Sequence, residues 1–72
     1  MRTIGARIRQ VRLATALSQE QAAERSGVGY KRWQDIERGS ANPTVRTLDR
    51  IAATLGVELG DIVLKTGRRR AR

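Results

Sequence analysis

Glycine-containing breaks divide this 72-residue sequence into short segments, and no segment between them shows the alternation expected of a strand. The breaks are Ser26-Gly27, the run from Gly39 to Pro43, and Gly56. Between the breaks, apolar residues recur every three or four positions, which is the period of an amphipathic helix. The breaks therefore predict several short helices around one thin core, because a chain of this size buries only about 60% of its unfolded surface.

Five helices follow from this pattern, and their predicted ranges are 4–15, 19–26, 29–37, 45–55 and 58–64. Ser18 and Gln21 have the spacing of a capping box at the start of the second helix. The first helix is expected to turn Arg7, Arg9 and Gln10 away from the core. The apolar stripes are Ile4, Ile8, Val11 and Thr15; Trp33 and Ile36; Val45, Leu48, Ile51, Ala52 and Leu55; and Leu59, Ile62 and Val63. The sequence thus predicts an all-α, five-helix domain over residues 1–64, followed by a basic disordered tail over residues 65–72.

Cysteine and histidine are both absent, and this composition excludes several classes of function. Disulfides and the usual zinc sites need these residues, and histidine is also the commonest general base. No apolar run approaches the roughly 20 residues that cross a bilayer. We therefore expect a cytoplasmic protein that is not an enzyme and that binds no metal, cofactor, membrane or small-molecule ligand.

The net charge is +8, and 13 of the 15 basic residues are arginine. The guanidinium group matches phosphate oxygens and guanine edges better than an ammonium group does. This favours a nucleic-acid partner and association with the nucleoid, although solubility or genome composition are alternative explanations. Residues 1–64 carry only +3, so evidence for specific binding must come from the predicted folded part.

The stretch from Gln19 to Arg38 meets the local conditions for two helices joined by a tight turn. Ala23 is small where the two helices would cross, and Gly27 tolerates the positive φ that the turn needs. The apolar anchors beneath the second of these helices are Val28, Trp33 and Ile36. Its opposite face is polar and can reach base edges in the major groove. Because these conditions occur together, we interpret residues 29–37 as a DNA recognition helix.

The motifs that carry a wider resemblance are Ile8-Arg9 with Arg12, Leu17-Ser18-Gln19-Glu20, Ala23, Gly27-Val28, Ile36-Glu37-Arg38-Gly39, Asn42-Pro43-Thr44, Leu48, Ile51-Ala52 and Leu55-Gly56-Val57. In order and spacing they resemble the phage-repressor, Cro and xenobiotic-response-element (XRE) family of helix-turn-helix regulators. The resemblance covers residues 4 to about 64. It implies a five-helix domain, homodimers on palindromic operators in double-stranded DNA, and transcriptional control.

The resemblance also implies roles for individual residues. The candidate base-reading residues are Tyr30, Lys31, Arg32, Gln34 and Asp35, and the candidate phosphate contacts are Ser18, Gln19 and Arg38. Gln19 is also expected to brace the recognition helix. Two alternatives stay open: Tyr30 as a merely exposed aromatic, and Asp35 as an intrahelical partner of Arg32 or Arg38 rather than an acceptor from cytosine. We favour the intrahelical partner for Asp35.

In the family, the positions of Arg12 and Glu37 form a buried ion pair that ties the first helix to the third. Three nearby positions depart from the family's pattern. Ala22 stands where leucine is usual, Ser26 where an aliphatic residue is usual, and Trp33 where isoleucine or valine is usual. We interpret Trp33 as a core residue that fills the volume that the two small residues vacate.

Two turns also differ from the family's pattern. Ala16 replaces a common glycine before Leu17, so the first interhelical turn is expected to differ in detail. Gly29 replaces the usual serine cap of the third helix, at a cost of a few tenths of a kcal/mol.

The last helix carries the apolar residues Leu59, Ile62, Val63 and Leu64. They can close the domain's own core or pair with a second copy across a twofold axis. Because they are many for so short an element, we predict a homodimer through these four residues. Two recognition helices would then lie about 34 Å apart on one side of the DNA.

The leading interpretation is a stand-alone transcriptional regulator, either a repressor or a controller protein like those of restriction–modification systems. The alternative is an antitoxin whose chief partner is a toxin protein. A third interpretation is RNA or non-specific nucleic-acid binding through the arginine-rich tail. The sequence does not choose between a phage, restriction–modification or toxin–antitoxin context.

Overall fold

The computed structural model describes residues 4–64, which form five helices and no strand. The helices are α1 (Ile4–Ala14), α2 (Gln19–Ser26), α3 (Tyr30–Arg38), α4 (Val45–Leu55) and α5 (Leu59–Val63). The all-α, five-helix prediction is confirmed, and each predicted boundary lies within one residue of the observed one. The predicted tail, residues 65–72, lies outside the described residues. None of the five helices is long and apolar enough to cross a membrane.

Capping interactions determine where α2 begins and ends. The hydroxyl oxygen of Ser18 accepts from the backbone N–H of Gln21 at 3.0 Å, and the Gln21 side chain accepts from the Ser18 N–H at 2.9 Å. At the other end, Gly27 has a φ of 76°, in the left-handed region where glycine carries no Cβ penalty. These caps limit α2 to eight residues and lead the chain directly into α3.

All five helices contribute side chains to one core, and α2 packs against both α3 and α4. The largest fully buried side chains are Trp33, Ile8, Ile36, Ile51 and Ile62. Ala22 and Ser26 are buried as well, and the Ser26 hydroxyl donates to the carbonyl oxygen of Ala23 at 3.1 Å. All three positions that depart from the family's pattern are thus buried, as the volume-compensation interpretation requires.

Two predicted stripe residues do not face the core. Val45 is 68% exposed because it is the first residue of α4, one turn before the buried stretch that starts at Leu48. Thr15 is exposed because α1 has already ended at Ala14. Its hydroxyl donates to the carbonyl oxygen of Arg12 at 2.7 Å, so it closes the end of α1.

Helices α1 and α3 approach each other at Gly5, which is buried. A Cβ at this position would overlap the carbonyl oxygen of Ile36 and lie 2.9 Å from that of Glu37. Both are backbone atoms, so they cannot move aside without shifting α3. The absence of a side chain at Gly5 therefore sets how closely α1 supports the helix that carries the predicted reading residues.

Candidate nucleic-acid interface

The inner face of α3 is fixed in the core. Trp33 is fully buried and Ile36 is 1% exposed, while Val28, just before the helix, is 8% exposed. Anchors three residues apart lie on one side of a helix, so the opposite side must face outward. Lys31 lies on that opposite side and is exposed, and Tyr30, the first residue of α3, is 47% exposed beside it. The arrangement presents a polar helix surface on a rigid support.

The five predicted base-reading residues share this outward surface to different degrees. Tyr30, Lys31 and Arg32 are exposed, whereas Gln34 and Asp35 are half-buried. Arg38 is the last residue of α3 and is exposed, whereas the sequence placed it just beyond the helix. The structure thus brings all six side chains of this group onto one helix.

Asp35 is held by two neighbours on its own helix. Its carboxylate pairs with Lys31 one turn earlier, at 3.3 Å, and with Arg38 less than one turn later. The side chain of Asp35 is only 25% exposed, while those of Lys31 and Arg38 are 81% and 64% exposed. The predicted pairing of Asp35 with Arg38 is therefore present. The second partner of Asp35 is Lys31 and not Arg32.

A buried carboxylate joins α3 to α1 and α2. Glu37 accepts from Arg12 Nε at 2.6 Å and Nη2 at 3.2 Å, from Gln19 Nε2 at 2.9 Å and from Trp33 Nε1 at 2.6 Å. Arg12 also donates through Nη1 to the carbonyl oxygen of Leu17 at 2.8 Å. The side chains of Arg12 and Glu37 are 8% and 2% exposed, so the structure contains the buried ion pair that the resemblance implies.

Two opposing effects act on the pKa of Glu37. Burial alone raises it, because a charged carboxylate loses its hydration. The hydrogen bonds from Arg12, Gln19 and Trp33, together with the positive charge of Arg12, outweigh burial and hold the pKa below its ordinary value. Glu37 is therefore a charged structural group at neutral pH.

Gln19 and Ser18 lie at the start of α2, close to the end of α3. Gln19 is half-buried, and its donation to Glu37 is the contact expected of a residue that braces the recognition helix. Ser18 is exposed, but its hydroxyl oxygen already caps α2. Its backbone N–H is likewise engaged with the Gln21 side chain, so a phosphate contact by Ser18 would use its hydroxyl hydrogen.

The structure also adds residues that sequence reasoning missed. Arg9 of α1 lines a surface notch together with Gln19 and Arg38, although the sequence placed it only on the polar side of its helix. The indole of Trp33 is not only a core group, because it donates to Glu37. The Trp33 signal was present in the spacing, because Trp33 lies one turn before Glu37 on the same helix, whereas the position of Arg9 depends on how α1 packs against α2 and α3.

The apolar residues of α5 divide between two environments. Leu64, just after the helix, is 76% exposed, and Leu59 and Val63 are partly buried against the core. Ile62 is fully buried in its own chain. Its prediction as a dimer-contact residue is therefore wrong, because one helix turn orients it inward while its neighbours stay at the surface.

A turn between two short helices, with the second helix anchored from beneath and polar outside, defines the helix-turn-helix class. A family model described as a helix-turn-helix domain matches residues 3–62. The chain belongs to this family of DNA-binding proteins, and its motifs place it with the phage-repressor and XRE members.

Curated relatives agree with this placement. The chain is 38% identical over 61 residues to the immunity repressor protein of Bacillus phage phi105, covering 85% of this chain and 42% of the repressor. It is 36% identical over 63 residues to an uncharacterised HTH-type transcriptional regulator, y4dJ, of Sinorhizobium fredii, covering 88% and 82% of the two chains. The chain thus spans less than half of the phage repressor but most of the second relative.

Solved structures share the fold. SinR, described as the master regulator for biofilm formation and crystallised in complex with DNA, has a TM-score of 0.81 and 32% identity, over 85% of this chain and 98% of the chain in that crystal structure. The restriction-modification controller protein C.AhdI from Aeromonas hydrophila has a TM-score of 0.80 and 32% identity, over 82% and 86% of the two chains. The named relatives are regulators, which agrees with the exclusion of catalysis from composition.

Proposed function

We propose that this protein is a transcriptional regulator that binds a palindromic operator as a homodimer and reads its bases through α3. The observation that carries the proposal is the opposition of the two faces of α3. Trp33 and Ile36 are buried, while Lys31 is exposed on the opposite side and Tyr30 and Arg32 are exposed beside it. A rigid helix with long polar side chains suits direct readout in the major groove, where each base pair presents a distinct pattern.

Base reading and phosphate contact are assigned to different residues. Tyr30, Lys31 and Arg32 lie in the first turn of α3, which is the part of a recognition helix that enters the groove. Gln19 and Arg38 lie together at the edge of this surface, where the DNA backbone would pass. We assign the first group to base edges, with Gln34 and Asp35 further along the helix. The second group, with Ser18, is assigned to phosphates, which fix the register without reading the sequence.

The homodimer is assigned to the surface of α5. Leu64 is exposed, and Leu59 and Val63 are partly covered, so together they offer apolar area next to the core. A twofold dimer uses the same patch of both copies, so these three residues would meet their own counterparts. Such pairing would place two copies of α3 about one turn of DNA apart.

Selection of bound duplexes from a random library, followed by footprinting at physiological salt, tests the proposal. We expect a palindromic consensus with half-sites about one helical turn apart. Lys31→Ala should relax the preference at one position of each half-site, since a good base contact contributes about 1–3 kcal/mol of discrimination. Arg38→Ala should weaken all duplexes about equally. Uniform loss in both variants would contradict the assignment of the reading residues.

The dimer has its own test in sedimentation equilibrium of the whole chain. We expect Leu64→Glu to shift the protein toward monomer. Val45→Glu is a matched control, because Val45 is 68% exposed on α4, away from α5 in the sequence. Equal association in both variants would contradict an α5 interface. Copurification of a second small protein in place of a homodimer would favour the antitoxin alternative instead.

A further inference from the structure

A surface notch lies where α1, the start of α2 and the end of α3 meet. It has a volume of about 150 Å³ and is lined by Arg9, Gln19, Gln34, Glu37 and Arg38. A water molecule takes about 30 Å³, so the notch has room for one phosphate group and a few waters. Its position at the edge of the outward face of α3 places it beside the path proposed for the DNA backbone.

The notch favours an anion although Glu37 forms part of its wall. The Glu37 side chain is 2% exposed and is neutralised by its ion pair with Arg12, so it contributes little negative charge at the surface. Arg9 adds a positive charge at the rim, and Arg38 adds a second one that is partly balanced by Asp35. Gln19 and Gln34 add amide groups, which can donate to an oxygen anion.

The two arginines differ in their availability. Arg38 pairs with Asp35 on its own helix. Arg9 is exposed and forms no hydrogen bond or ion pair within the described residues 4–64. An anion in the notch would therefore not have to displace a partner of Arg9 from the described part of the chain.

We propose that Arg9 is a phosphate-contacting residue that holds one phosphodiester of the DNA backbone in this notch together with Gln19 and Arg38. The inference rests on the proposed DNA binding and adds to it a contact from α1. A guanidinium matches the oxygens of a phosphate through two parallel N–H donors. One phosphate held by residues of α1, α2 and α3 would fix the angle at which α3 enters the groove.

The salt dependence of binding measures this contact directly. Each phosphate contact contributes about 0.9 to the slope of log K against log salt concentration. We expect Arg9→Gln to lower the affinity for every duplex and to flatten this slope by about 0.9. A fourfold rise in salt should then cost the variant about three to four times less affinity than it costs the wild type. Arg9→Lys keeps the charge and should retain most of the slope.

Arg25→Gln is the matched control. Arg25 is exposed at the far end of α2 from Gln19, has no ion pair within residues 4–64, and its loss changes the net charge by the same amount. We expect this variant to keep the wild-type slope. Equal slopes for Arg9→Gln and Arg25→Gln, with wild-type binding intact, would overturn the assignment of Arg9 and leave DNA binding standing.

NMR of the arginine Nε–H groups distinguishes the two levels of the proposal. On addition of a short duplex, we expect the Arg9 signal to shift and the Arg25 signal to stay in place. A shift confined to residues of α3 would overturn the Arg9 contact alone. No shift anywhere in the protein, with any duplex from the selection, would contradict the proposed function itself. Thermal unfolding should show equal stability for Arg9→Gln and the wild type, since Arg9 has no hydrogen-bond or ion-pair partner among residues 4–64.

Discussion

Replacing Arg12 by methionine tests whether the buried carboxylate depends on its cation. The substitution removes the two donors at 2.6 and 3.2 Å from Glu37 and the donor to the Leu17 carbonyl. Glu37 would keep Gln19 and Trp33 as partners but lose its counter-ion. Removing one partner of a buried ion pair costs about 3–5 kcal/mol, because the remaining charge is left without compensation. A domain of this size has a total stability of roughly 4–11 kcal/mol, so the loss is a large fraction of it.

The dependence of the unfolding free energy on pH follows from the pKa of Glu37. In the wild type, the pKa of Glu37 is lower in the folded than in the unfolded state. Its contribution is therefore complete above the ordinary glutamate pKa of about 4.3 and is lost as the pH falls through the folded value. Burial raises the pKa of Glu37, and in Arg12→Met no cation balances this effect. We therefore expect the pKa of Glu37 to be higher in the variant than in the wild type. Protonation of Glu37 then removes the uncompensated buried charge in the variant. The difference in unfolding free energy between the variant and the wild type should therefore shrink toward about pH 4.

Urea unfolding followed by circular dichroism, at about pH 7 and about pH 4, measures both effects. The double variant Arg12→Met/Glu37→Leu serves as a control, since it removes both charges. It leaves the Trp33 indole N–H without an acceptor, which costs about 1–3 kcal/mol, so it should be more stable than Arg12→Met at neutral pH. A loss below about 1 kcal/mol in Arg12→Met would show that the pair behaves like an exposed surface pair and that Glu37 does not depend on its cation. A loss independent of pH would refute the role of the charge.

Three further changes have expected outcomes. Ala16 has a φ of 63°, so Ala16→Gly should raise the unfolding free energy in urea by about 0.5–1 kcal/mol, and no gain would mean that the turn is unstrained. Gly5→Ala should lower it by about 2–3 kcal/mol, because the new Cβ overlaps the Ile36 carbonyl oxygen; wild-type stability would contradict the close approach. Asp35→Asn removes the ion-pair partner of Lys31, so fluorescence anisotropy should show tighter binding to non-cognate duplexes, with stability changed by less than about 1 kcal/mol. A loss of affinity only for duplexes with one particular cytosine would instead identify Asp35 as a base-reading residue.

The sequence predicted the fold well because its local signals agreed with one another. The capping box at Ser18 begins α2 and the left-handed glycine at Gly27 ends it, both through local interactions. The periodic apolar residues of α1, α3 and α4 then leave few ways to pack such short helices. The exceptions, Thr15 and Val45, lie at the ends of helices, where a periodic pattern continues after the packing partner has ended.

The candidate site was predictable only in part. Helical spacing placed the outward residues of α3 and the Asp35–Arg38 pair, since these depend on one helix alone, but it named Arg32 where Lys31 is the second partner. The α1 contribution at Arg9 depends on how α1 lies against α2 and α3, which spacing within one helix does not determine. The same holds for Ile62, because the sequence shows that α5 is apolar but not which side of it the core covers.

The Glu37 cluster connects the stability of this domain to its proposed reading of DNA. Arg12 in α1, Gln19 in α2 and Trp33 in α3 donate to the same carboxylate, so the three helices are joined at one group. Gln19, a proposed phosphate contact, is thereby fixed relative to the helix proposed to read bases before any DNA is bound. Side chains that are ordered in advance lose less conformational entropy on binding, which favours affinity. Because Glu37 is itself buried and anionic, it can serve recognition only in this indirect way, as a positioning residue for the surface above it.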